Sequence, residues 1–434
     1  MTYEAAEDFL FALPRFAMEG NAAYAPGLER IGAVLEAMGN PHRSYPIVHI
    51  AGTNGKGSTA SFLAAIATAS GRKTGLHTSP HLYRMNERLR VDGEPAADEW
   101  IVEAVERYRA VFEKEKVSFF EAMVALSFQY FAHQSVDLAV IEVGLGGRFD
   151  ATNIVSPELA IVTSISLDHT QILGNSIRDI AREKAGIVKP HIPVLSGVKQ
   201  SDAVEEIQKA AAQMEAKFVS LDDAVEWSVV GESGYKSTIK ASTTRQEYQS
   251  LTIGLPGPHQ CRNALLALLA AEKLFVSENR LDAFIAEGLA NVAALSGLKG
   301  RMEVVKEEPL VVLDVGHNLD GLRAAVTFML DAVSGRQGHL FVMFGMMRDK
   351  DIHQMVKHLA GIGVKVYTPP IHSDRAVPST ELATTLRSHD INVEHVLSLE
   401  EGLFRFSKES THKDGLLIVG SHYLVAQYNR LIDM

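Results

Sequence analysis

A glycine-rich segment between two apolar segments is the feature that most constrains how this chain can fold. The run Tyr45–Ile50 has the apolar character of a buried β-strand, residues 51–59 read AGTNGKGST, and residues 61–70, SFLAAIATAS, have the composition of a helix. A glycine-rich turn between a strand and a helix directs backbone N–H groups and the positive end of the helix towards one point, which suits a phosphate group. We therefore predict a phosphate-binding loop from Gly52 to Ser58.

The side chains of this loop supply the other groups that a nucleoside triphosphate needs. Lys56 can reach the outer phosphates, and the hydroxyl of Ser58 or Thr59 can bind magnesium. The spelling departs from the common GxxxxGK[ST] pattern, because Gly52 lies only three residues before Gly55 and a glycine separates the lysine from the serine. A glycine-rich turn without a ligand is the alternative interpretation. The predicted nucleotide contacts of the loop are Gly52, Thr53, Asn54, Gly55, Lys56, Gly57, Ser58 and Thr59.

Short apolar runs alternate with amphipathic segments along the chain, which is the pattern of an α/β fold with a mostly parallel sheet. Predicted strands of a first domain are Tyr45–Ile50, Val136–Val143, Leu159–Ile165 and Pro193–Val198. Predicted strands of a second domain are Leu310–Val315, His339–Phe344, Val364–Tyr367, Val393–Leu397 and Leu416–Val419. The small residues of Leu295–Gly300 indicate a linker, so we expect domains at residues 1–298 and 299–434. The polar, alternating segment Asp222–Thr252 predicts antiparallel strands at the rim of the first domain.

Composition argues against several other classes of protein. The formal charge of −11 disfavours a chain that coats nucleic acid, because that role needs a basic surface. The longest apolar stretches, such as Ala264–Ala271, are shorter than the roughly 18 residues that cross a bilayer, so we expect no membrane span. The N-terminus carries Glu4, Glu7 and Asp8 where a secretory signal carries basic residues. With Cys261 as the single cysteine, these features predict a cytoplasmic protein.

The loop spelling GTNGKGS resembles the Mur ligase superfamily, and within it the folylpolyglutamate synthase and dihydrofolate synthase family. Further blocks similar to this family follow in order along nearly the whole chain. They are TSPHL at Thr78–Leu82, NERLRV at Asn86–Val91, EVGLGGRFDATN at Glu142–Asn153, SISLDHT at Ser164–Thr170, REKAGI at Arg182–Ile187, GPHQCRNALLA at Gly257–Ala267, GRMEV at Gly300–Val304 and LDVGHN at Leu313–Asn318. An ordered series of blocks is far more specific than any one of them.

This resemblance implies a fold and an activity. The implied fold is a P-loop ATPase domain of the Mur ligase type with a mostly parallel sheet, followed by a smaller Rossmann-like α/β domain. The implied enzyme is an ATP-dependent amide ligase that adds L-glutamate to dihydropteroate, to reduced folates or to both, through an acyl phosphate. Its implied cofactors are ATP and two Mg²⁺ ions, and we expect it to act as a monomer.

Charged residues that follow two strands predict a metal site. Glu142 ends one apolar strand, at the edge where open α/β sheets bind ligands, and His169 follows the next strand. We expect both side chains to face one magnesium ion from adjacent strand ends. A histidine with a structural hydrogen bond is the alternative. The resemblance adds Ser79 as a ligand of that ion and gives Ser58 to a first magnesium ion.

Lys184 lies in the REKAGI block, early in a predicted helix and among charged neighbours. Those neighbours favour a surface lysine. In the resembling enzymes this lysine is carbamylated, which converts a cation into an anion that can bind metal. The resemblance therefore implies that Lys184 can be carbamylated.

The resemblance assigns further residues to nucleotide, substrate and catalysis. The LDVGHN block departs from the usual DGAHN spelling at Val315 and Gly316, which affects only the local backbone. Implied nucleotide contacts outside the loop are Gln260, Asn263, Arg301, Asp314 and His317. Implied substrate contacts are Thr78, Ser79, Pro80, His81, Arg84, Arg88 and Tyr423. Implied catalytic residues are Lys56, His169, Lys184, Asp314 and His317.

Two sets of charged residues have open interpretations. Arg84, Arg88 and Arg90 lie within seven residues and can form an anion-binding funnel, since arginine binds carboxylates in a bidentate fork. A solvated strand edge is the alternative. The segment Phe344–Asp351 either helps to bind substrate or forms a solvated charged turn.

Three rival functions remain at this stage. A cell-wall ligase of the same superfamily adds an amino acid to a UDP-muramoyl peptide, but it generally carries a UDP-binding domain before the phosphate loop, and only 51 residues precede Gly52. A P-loop kinase would release a stable phosphorylated product. A nucleotide-binding protein without ligase activity would have no use for the full set of charged residues. We favour a ligase that accepts both dihydropteroate and reduced folates.

Overall fold

A computed structural model of the chain describes residues 1–14, 27–233 and 235–432. The chain divides into two compact units. The first unit comprises residues 1–254 and 260–298, and the second comprises residues 255–259 and 299–434. Each unit has a sheet with helices and is described by itself below.

The main sheet of the first unit contains eight strands. They are β1 (Ile47–Ala51), β2 (Thr74–His77), β3 (Leu89–Val91), β4 (Glu94–Pro95), β5 (Leu138–Glu142), β6 (Leu159–Val162), β7 (Val194–Ser196) and β8 (Phe218–Ser220). Their order across the sheet is β4-β3-β2-β5-β1-β6-β7-β8. The six strands β2, β5, β1, β6, β7 and β8 run parallel, whereas β3 and β4 pair antiparallel at one edge. The carboxyl ends of the parallel strands therefore meet at one edge, with β1 at the centre.

The strand predictions from apolar runs are confirmed in position, although their ends differ. The predicted run Leu159–Ile165 ends as a strand at Val162, because Thr163 and the next residues turn to bond the phosphate loop. Strand β2 was missed, since its four residues are TGLH and carry no apolar run. It is nevertheless fully buried, as expected for a parallel strand covered on both faces.

Helices cover both faces of this sheet. They are α1 (Tyr3–Ala12), α2 (Glu29–Ala37), α3 (Lys56–Ala69), α4 (Asp98–Glu115), α5 (Phe119–Gln134), α6 (Thr170–Leu173), α7 (Ile177–Ala185), α8 (Ser201–Gln213), α9 (Leu221–Ala224), α10 (Pro258–Leu274), α11 (Leu281–Ala290) and α12 (Val292–Ser296). Short 3-10 helices lie at Pro41–Arg43, Met85–Arg88 and Ala151–Ile154. Helix α3 is buried almost all round, which fits its small and apolar residues. Helix α5 begins in a capping box in which Ser118 and Glu121 satisfy each other's backbone N–H groups.

The polar segment before α10 forms a separate antiparallel sheet. Its strands are β9 (Val225–Ser233), β10 (Lys236–Thr243) and β11 (Glu247–Ile253), in the order β11-β10-β9. The prediction of antiparallel strands within Asp222–Thr252 is therefore confirmed.

The second unit contains a six-stranded sheet. Its strands are β12 (Glu303–Glu307), β13 (Leu310–Leu313), β14 (Leu340–Phe344), β15 (Lys365–Thr368), β16 (Asn392–His395) and β17 (Gly415–Val419). Their order is β12-β13-β17-β14-β15-β16, parallel except for the antiparallel edge strand β12. Its helices are α13 (Leu319–Ser334), α14 (Ile352–Ala360), α15 (Ser379–Arg387), α16 (Leu399–Glu409) and α17 (His422–Ile432). The five strands predicted for this region are all present, and the two-part α/β architecture is confirmed.

Within residues 1–14, 27–233 and 235–432, no helix is long and apolar enough to cross a membrane.

Candidate functional site

The phosphate loop joins the central strand β1 to helix α3. Gly52 has φ of 153° and Gly55 has φ of 83°, and both values favour glycine. A side chain at Gly55 would collide with Asn263, and one at Gly52 would collide with Thr163. Helix α3 begins at Lys56, earlier than the sequence suggested, so Lys56 lies in the first helical turn. The backbone N–H groups of that turn point towards the loop and favour an anion.

A second loop, after β6, holds the phosphate loop in place. The Thr53 N–H donates to the Ser164 carbonyl at 2.8 Å, and the Asn54 N–H donates to the Ser164 hydroxyl at 3.0 Å. The Thr163 hydroxyl donates to the Asn54 carbonyl at 2.7 Å. Sequence reasoning did not single out Thr163 or Ser164 for this role. Their position directly after a strand neighbouring β1 is the signal that could have found them.

Lys56 lies within this loop, and Asn263, which is paired with Gln260 on helix α10, lies against it. The Lys56 ammonium donates to the Thr53 carbonyl at 3.2 Å, so its side chain follows the loop. On helix α10, Asn263 is buried and donates to the Gln260 side-chain oxygen at 2.9 Å. Since Asn263 is also the residue that leaves no room for a side chain at Gly55, the structure brings α10 to the loop.

Lys184 is buried beneath the phosphate loop, not exposed. Its ammonium donates to the Gly52 carbonyl at 2.9 Å, and the residue is 5% exposed. Its pKa is lowered to about 7, mainly by burial and also by the charge of Lys56, while Asp168 and Asp150 oppose the shift. The predictions of a surface position and of a place early in the helix were wrong, because Lys184 is the penultimate residue of α7. Packing of α7 against the sheet turns this face inwards.

Glu142 and Ser79, two predicted magnesium ligands, lie in direct contact. Glu142 ends β5, is 2% exposed, and accepts a hydrogen bond from the Ser79 N–H at 2.9 Å. Strand β5 is the neighbour of β1 in the sheet. A carboxylate thus lies at the strand end beside the phosphate loop, linked to the segment Thr78–Leu82.

His169 occupies a different place from the one expected. It precedes the short helix α6 in a left-handed conformation, with φ of 49°, and its side chain is 35% exposed. The prediction that Glu142 and His169 follow adjacent strands was wrong, because β1 lies between β5 and β6. The two residues therefore follow strands on opposite sides of the phosphate-loop strand. Within the part of the chain that the structure describes, no three His, Cys, Asp or Glu side chains group together as a metal site.

Two of the three nearby arginines hold the segment Thr78–Leu82, and the third has its partner elsewhere. Arg88 donates to His81 Nδ1 at 2.9 Å, and Arg90 donates to the Thr78 hydroxyl at 3.4 Å. Arg84 instead pairs with Asp98 at 2.6 Å and is largely exposed. Arg88 and Arg90 are buried, so they support the segment from within the fold and do not form one open funnel together with Arg84. The peptide bond before Pro80 is cis.

An aromatic group that the sequence did not predict packs beside this segment. Phe11 lies 5.3 Å from Phe119 and 6.3 Å from the His81 ring, measured between ring centroids. The Arg88 guanidinium lies 5.1 Å from the centre of the Phe119 ring. Flat apolar faces beside buried cations suit a flat, heteroaromatic ligand.

The second unit carries its predicted residues at the carboxyl end of β13. Asp314 is buried and accepts hydrogen bonds from the Met302 N–H at 2.9 Å and the Gly316 N–H at 2.7 Å. Burial raises the pKa of Asp314, and Arg301 opposes this shift. His317 Nδ1 lies 3.0 Å from the Val315 carbonyl. Because a carbonyl only accepts, Nδ1 carries the proton and Nε2 is an acceptor in the neutral ring.

Two substrate-binding predictions for this unit, Tyr423 and the segment Phe344–Asp351, stay predictions. Tyr423, in the first turn of α17, is 46% exposed. In the segment Phe344–Asp351, Asp349 pairs with Arg375 at 3.3 Å. The Arg348 N–H donates to the Arg375 carbonyl at 2.9 Å, so that loop is tied to a second one.

Comparison with known families and proteins gives consistent matches. A model of the Mur ligase middle domain matches residues 50–271, and a model of the Mur ligase, glutamate ligase domain matches residues 300–422. The dihydrofolate synthase/folylpolyglutamate synthase of Bacillus subtilis is 35% identical over 370 residues, which cover 82% of this chain and 84% of the relative. The folylpolyglutamate synthase of Lacticaseibacillus casei is 32% identical over 386 residues, which cover 87% and 88%.

Solved structures of such proteins match over the full length. Mycobacterium tuberculosis folylpolyglutamate synthase complexed with ADP has a TM-score of 0.89 and 28% identity, covering 100% of this chain and 98% of that one. E. coli FolC in complex with DHPP and ADP has a TM-score of 0.84 and 29% identity, with the same coverage of both chains.

Proposed function

The chain belongs to the folylpolyglutamate synthase and dihydrofolate synthase family of ATP-dependent Mur-type ligases, and we propose that it adds L-glutamate both to dihydropteroate and to reduced folates. Relatives from B. subtilis, M. tuberculosis and E. coli carry both activities in their names. The observation that carries the proposal is the hydrogen bond between Ser79 and Glu142, because it joins the expected folate segment to the strand end beside the phosphate loop.

The chemistry follows from the two problems of joining a carboxylate to an amine. Both groups are ionised at neutral pH, and the carboxylate has no good leaving group. The folate carboxylate attacks the γ-phosphorus of ATP, the bond to the β–γ bridging oxygen breaks, and ADP leaves with an acyl phosphate formed. The amine of L-glutamate, after loss of a proton, then attacks the acyl carbon and expels phosphate. One ATP is converted to ADP and phosphate for each amide formed.

The protein contributes position and charge to the first step. The first turn of α3 and Lys56 place donors and a cation where charge develops on the transferred phosphoryl group. Thr163 and Ser164 hold the backbone of Thr53 and Asn54 in place through hydrogen bonds. We assign Arg301, Asp314 and His317 of the second unit to the nucleotide on the strength of the family resemblance.

The donors present fit magnesium. Mg²⁺ prefers oxygen ligands, keeps several waters and is commonly held by one or two protein groups plus phosphate oxygens. The Ser58 hydroxyl would hold one ion, while the Glu142 carboxylate with Ser79 would hold a second. His169 is the least typical ligand of the set, since imidazole suits other metals better. Bound magnesium would neutralise charge on the phosphates.

The burial of Lys184 supports its carbamylation. An amine must be neutral to attack carbon dioxide, and a pKa of about 7 leaves a large neutral fraction at neutral pH. The nitrogen forms a bond to the carbon of CO₂ and loses a proton, and the product is an anion. Lys184→Ala should lose turnover and regain part of it with added short carboxylic acids, whereas an unmodified lysine predicts no such rescue. In the wild type, ¹³C-bicarbonate should give a carbamate signal that the variant lacks.

Incubation of the purified protein with Mg-ATP, L-glutamate and one acceptor tests the function. We expect ADP and phosphate release that depends on glutamate with dihydropteroate and with tetrahydrofolate. Activity with tetrahydrofolate alone would restrict the enzyme to polyglutamate addition. Release with a UDP-muramoyl peptide and with neither pterin would overturn the proposal. A stable phosphorylated product without glutamate would indicate a kinase.

We further propose that the enzyme is a cytoplasmic monomer. Its single cysteine, Cys261, is buried and forms no disulfide within the chain, which agrees with a reducing compartment. Light scattering of the purified protein at micromolar concentration should give the mass of one 47.3 kDa chain.

A further inference from the structure

A buried histidine with no part in the proposed chemistry lies on the strand that carries the phosphate loop. His49 is the third residue of β1, precedes Gly52 by three residues, and is 0% exposed. Its Nε2 lies 2.8 Å from the hydroxyl of Thr152, in the 3-10 helix Ala151–Ile154. A polar ring so deep in the sheet requires a partner, because an unbonded polar group in the core is costly.

The direction of the hydrogen bonds follows from the groups involved. The Thr152 hydroxyl donates to Asp150 Oδ1 at 2.5 Å, and both oxygens of Asp150 also accept backbone N–H groups. The single hydroxyl proton of Thr152 is therefore donated to Asp150, and the hydroxyl oxygen accepts the proton that His49 carries on Nε2. The hydrogen bonds therefore form a chain that runs in one direction, in which His49 donates to Thr152 and Thr152 donates to Asp150.

Asp150 in turn closes the loop of residues 143–149. Its Oδ2 accepts the Leu145 N–H at 2.9 Å, and its Oδ1 also accepts the Thr152 N–H at 3.0 Å. The Asp150 side chain thus accepts hydrogen bonds at both oxygens. It ties Leu145, in the first half of the loop, to Asp150, which directly follows the loop. This loop begins directly after Glu142.

The other half of the loop packs on the helix that carries Lys184. The Arg148 N–H donates to the Glu183 carbonyl at 2.9 Å. A side chain at Gly147 would collide with the backbone of Glu183 and Lys184. The loop therefore spans the distance between Glu142 and Lys184, two residues to which the proposed function gives a role.

We propose that His49 is a positioning residue of the ligase reaction: through Thr152 and Asp150 it fixes the loop of residues 143–149. This inference rests on the proposed function for its effect on turnover, but the hydrogen-bond chain is independent of that function. A histidine that only filled space would be replaceable by an apolar residue of similar volume without effect on this loop.

The test compares variants that remove the donor with variants that keep it. His49→Leu and Thr152→Val each break the chain, whereas His49→Gln and Thr152→Ser each keep a donor of similar reach. We expect the first pair to lower kcat about tenfold, as loss of supporting contacts around ligands commonly does, with KM for ATP changed less than twofold. The second pair should regain most of kcat. The double variant should be no worse than either single variant, since both break one chain.

Hydrogen exchange of the peptide containing residues 143–149 measures directly how firmly the backbone N–H groups of the loop are held. The Leu145 N–H should exchange faster in His49→Leu and Thr152→Val, and at the wild-type rate in the conservative variants. Thr152→Val is nearly isosteric, so it keeps the test valid if His49→Leu folds poorly. If the wild type shows no glutamate-dependent ADP release, the proposed function fails, while the exchange experiment still decides whether His49 positions the loop.

His42→Leu is the matched control. His42 is also buried, 6% exposed, and packs against Phe128 with ring centroids 5.7 Å apart. It precedes β1 and takes no part in the hydrogen bonds that link His49, Thr152 and Asp150. It should lose stability without a change in kcat or in exchange of residues 143–149. Unchanged kcat and exchange in His49→Leu, or an equal loss of kcat in His42→Leu, would overturn the proposal.

Discussion

Two lysines lie at the phosphate loop, and their surroundings give them different properties. Lys56 is half-buried in the first turn of α3, whereas Lys184 is buried beneath Gly52. Lys56→Ala should abolish ADP release with both pterins, because the cation on the outer phosphates is lost, and should leave the fold intact. Circular dichroism and ADP release measure the two effects. Lys114→Ala, at an 80% exposed side chain, is the control, and retained turnover in Lys56→Ala would exclude the loop from the mechanism.

Two buried histidines make the first unit sensitive to acid. Burial lowers the pKa of His49 and of His77 from 6.5 to about 3, so the folded state stays neutral where the unfolded chain takes up protons. Their stabilising contribution is complete above pH 6.5 and is lost as the pH falls towards 3. Between pH 6.5 and 5 we expect a loss of about 2 kcal/mol for each histidine.

Tryptophan fluorescence can measure this loss, because Trp100 and Trp227 both belong to the first unit. Urea unfolding at pH 7 and pH 5 should show the decline in the wild type and a smaller decline in His77→Phe. His191→Gln, at an exposed side chain, should behave like the wild type. An equal decline in His77→Phe would assign the acid sensitivity to other groups.

The burial of Lys184 shows what sequence reasoning could and could not find at single residues. Charged neighbours suggested a surface position, yet Ile180, Ala181 and Ala185 share its helical face and are all buried. That spacing is visible in the sequence and could have corrected the prediction. The bond from Lys184 to Gly52 joins residues 132 positions apart, and no local pattern predicts it.

At the scale of elements, two glycines with the same backbone conformation allow a controlled test of the phosphate loop. Gly55 has φ of 83° and Gly71, at the end of α3, has φ of 82°. Alanine at either position should cost about 1 to 2 kcal/mol from the left-handed backbone. Only Gly55→Ala also collides with Asn263, whereas nothing lies within 4 Å of the side-chain position at Gly71.

We therefore expect Gly55→Ala to lose ADP affinity at least about tenfold, which corresponds to 1.4 kcal/mol, and Gly71→Ala to keep it. Isothermal titration with Mg-ADP measures the affinity, and thermal unfolding measures the shared cost in stability. Equal affinities in the two variants would show that α10 and the loop are not coupled through this contact.

Elements with apolar runs were predictable, but their neighbours in space were not. The runs that became β1, β5, β6 and β7 were recognised, because buried parallel strands are apolar on both faces. Strand order is not contained in such runs. β1 pairs with both β5 and β6, so His169 was placed beside Glu142 when a strand separates their positions. The bonds from Thr163 and Ser164 to the phosphate loop were missed for the same reason.

At the scale of the whole molecule, the two units have separate sheets and carry different parts of the expected chemistry. The first unit holds the phosphate loop, Glu142 and Lys184, and the second holds Asp314 and His317. The order of the family-like blocks along the sequence already placed these residues in different parts of the chain, because a block can be recognised from its letters alone. The geometry within each unit came only from the structure.

This division predicts that a change in the second unit affects turnover more than nucleotide affinity. His317→Ala removes an imidazole whose Nδ1 lies 3.0 Å from the Val315 carbonyl and which we assign to the nucleotide. We expect kcat to fall at least about tenfold while ADP affinity changes less than tenfold, because the proposed phosphate loop belongs to the first unit. His412→Ala, at an exposed histidine of the same unit, should leave both unchanged. If His317→Ala lost as much ADP affinity as Lys56→Ala, the second unit would contribute as much to nucleotide affinity as the phosphate loop. An unchanged kcat in His317→Ala would show that His317 takes no part in the reaction.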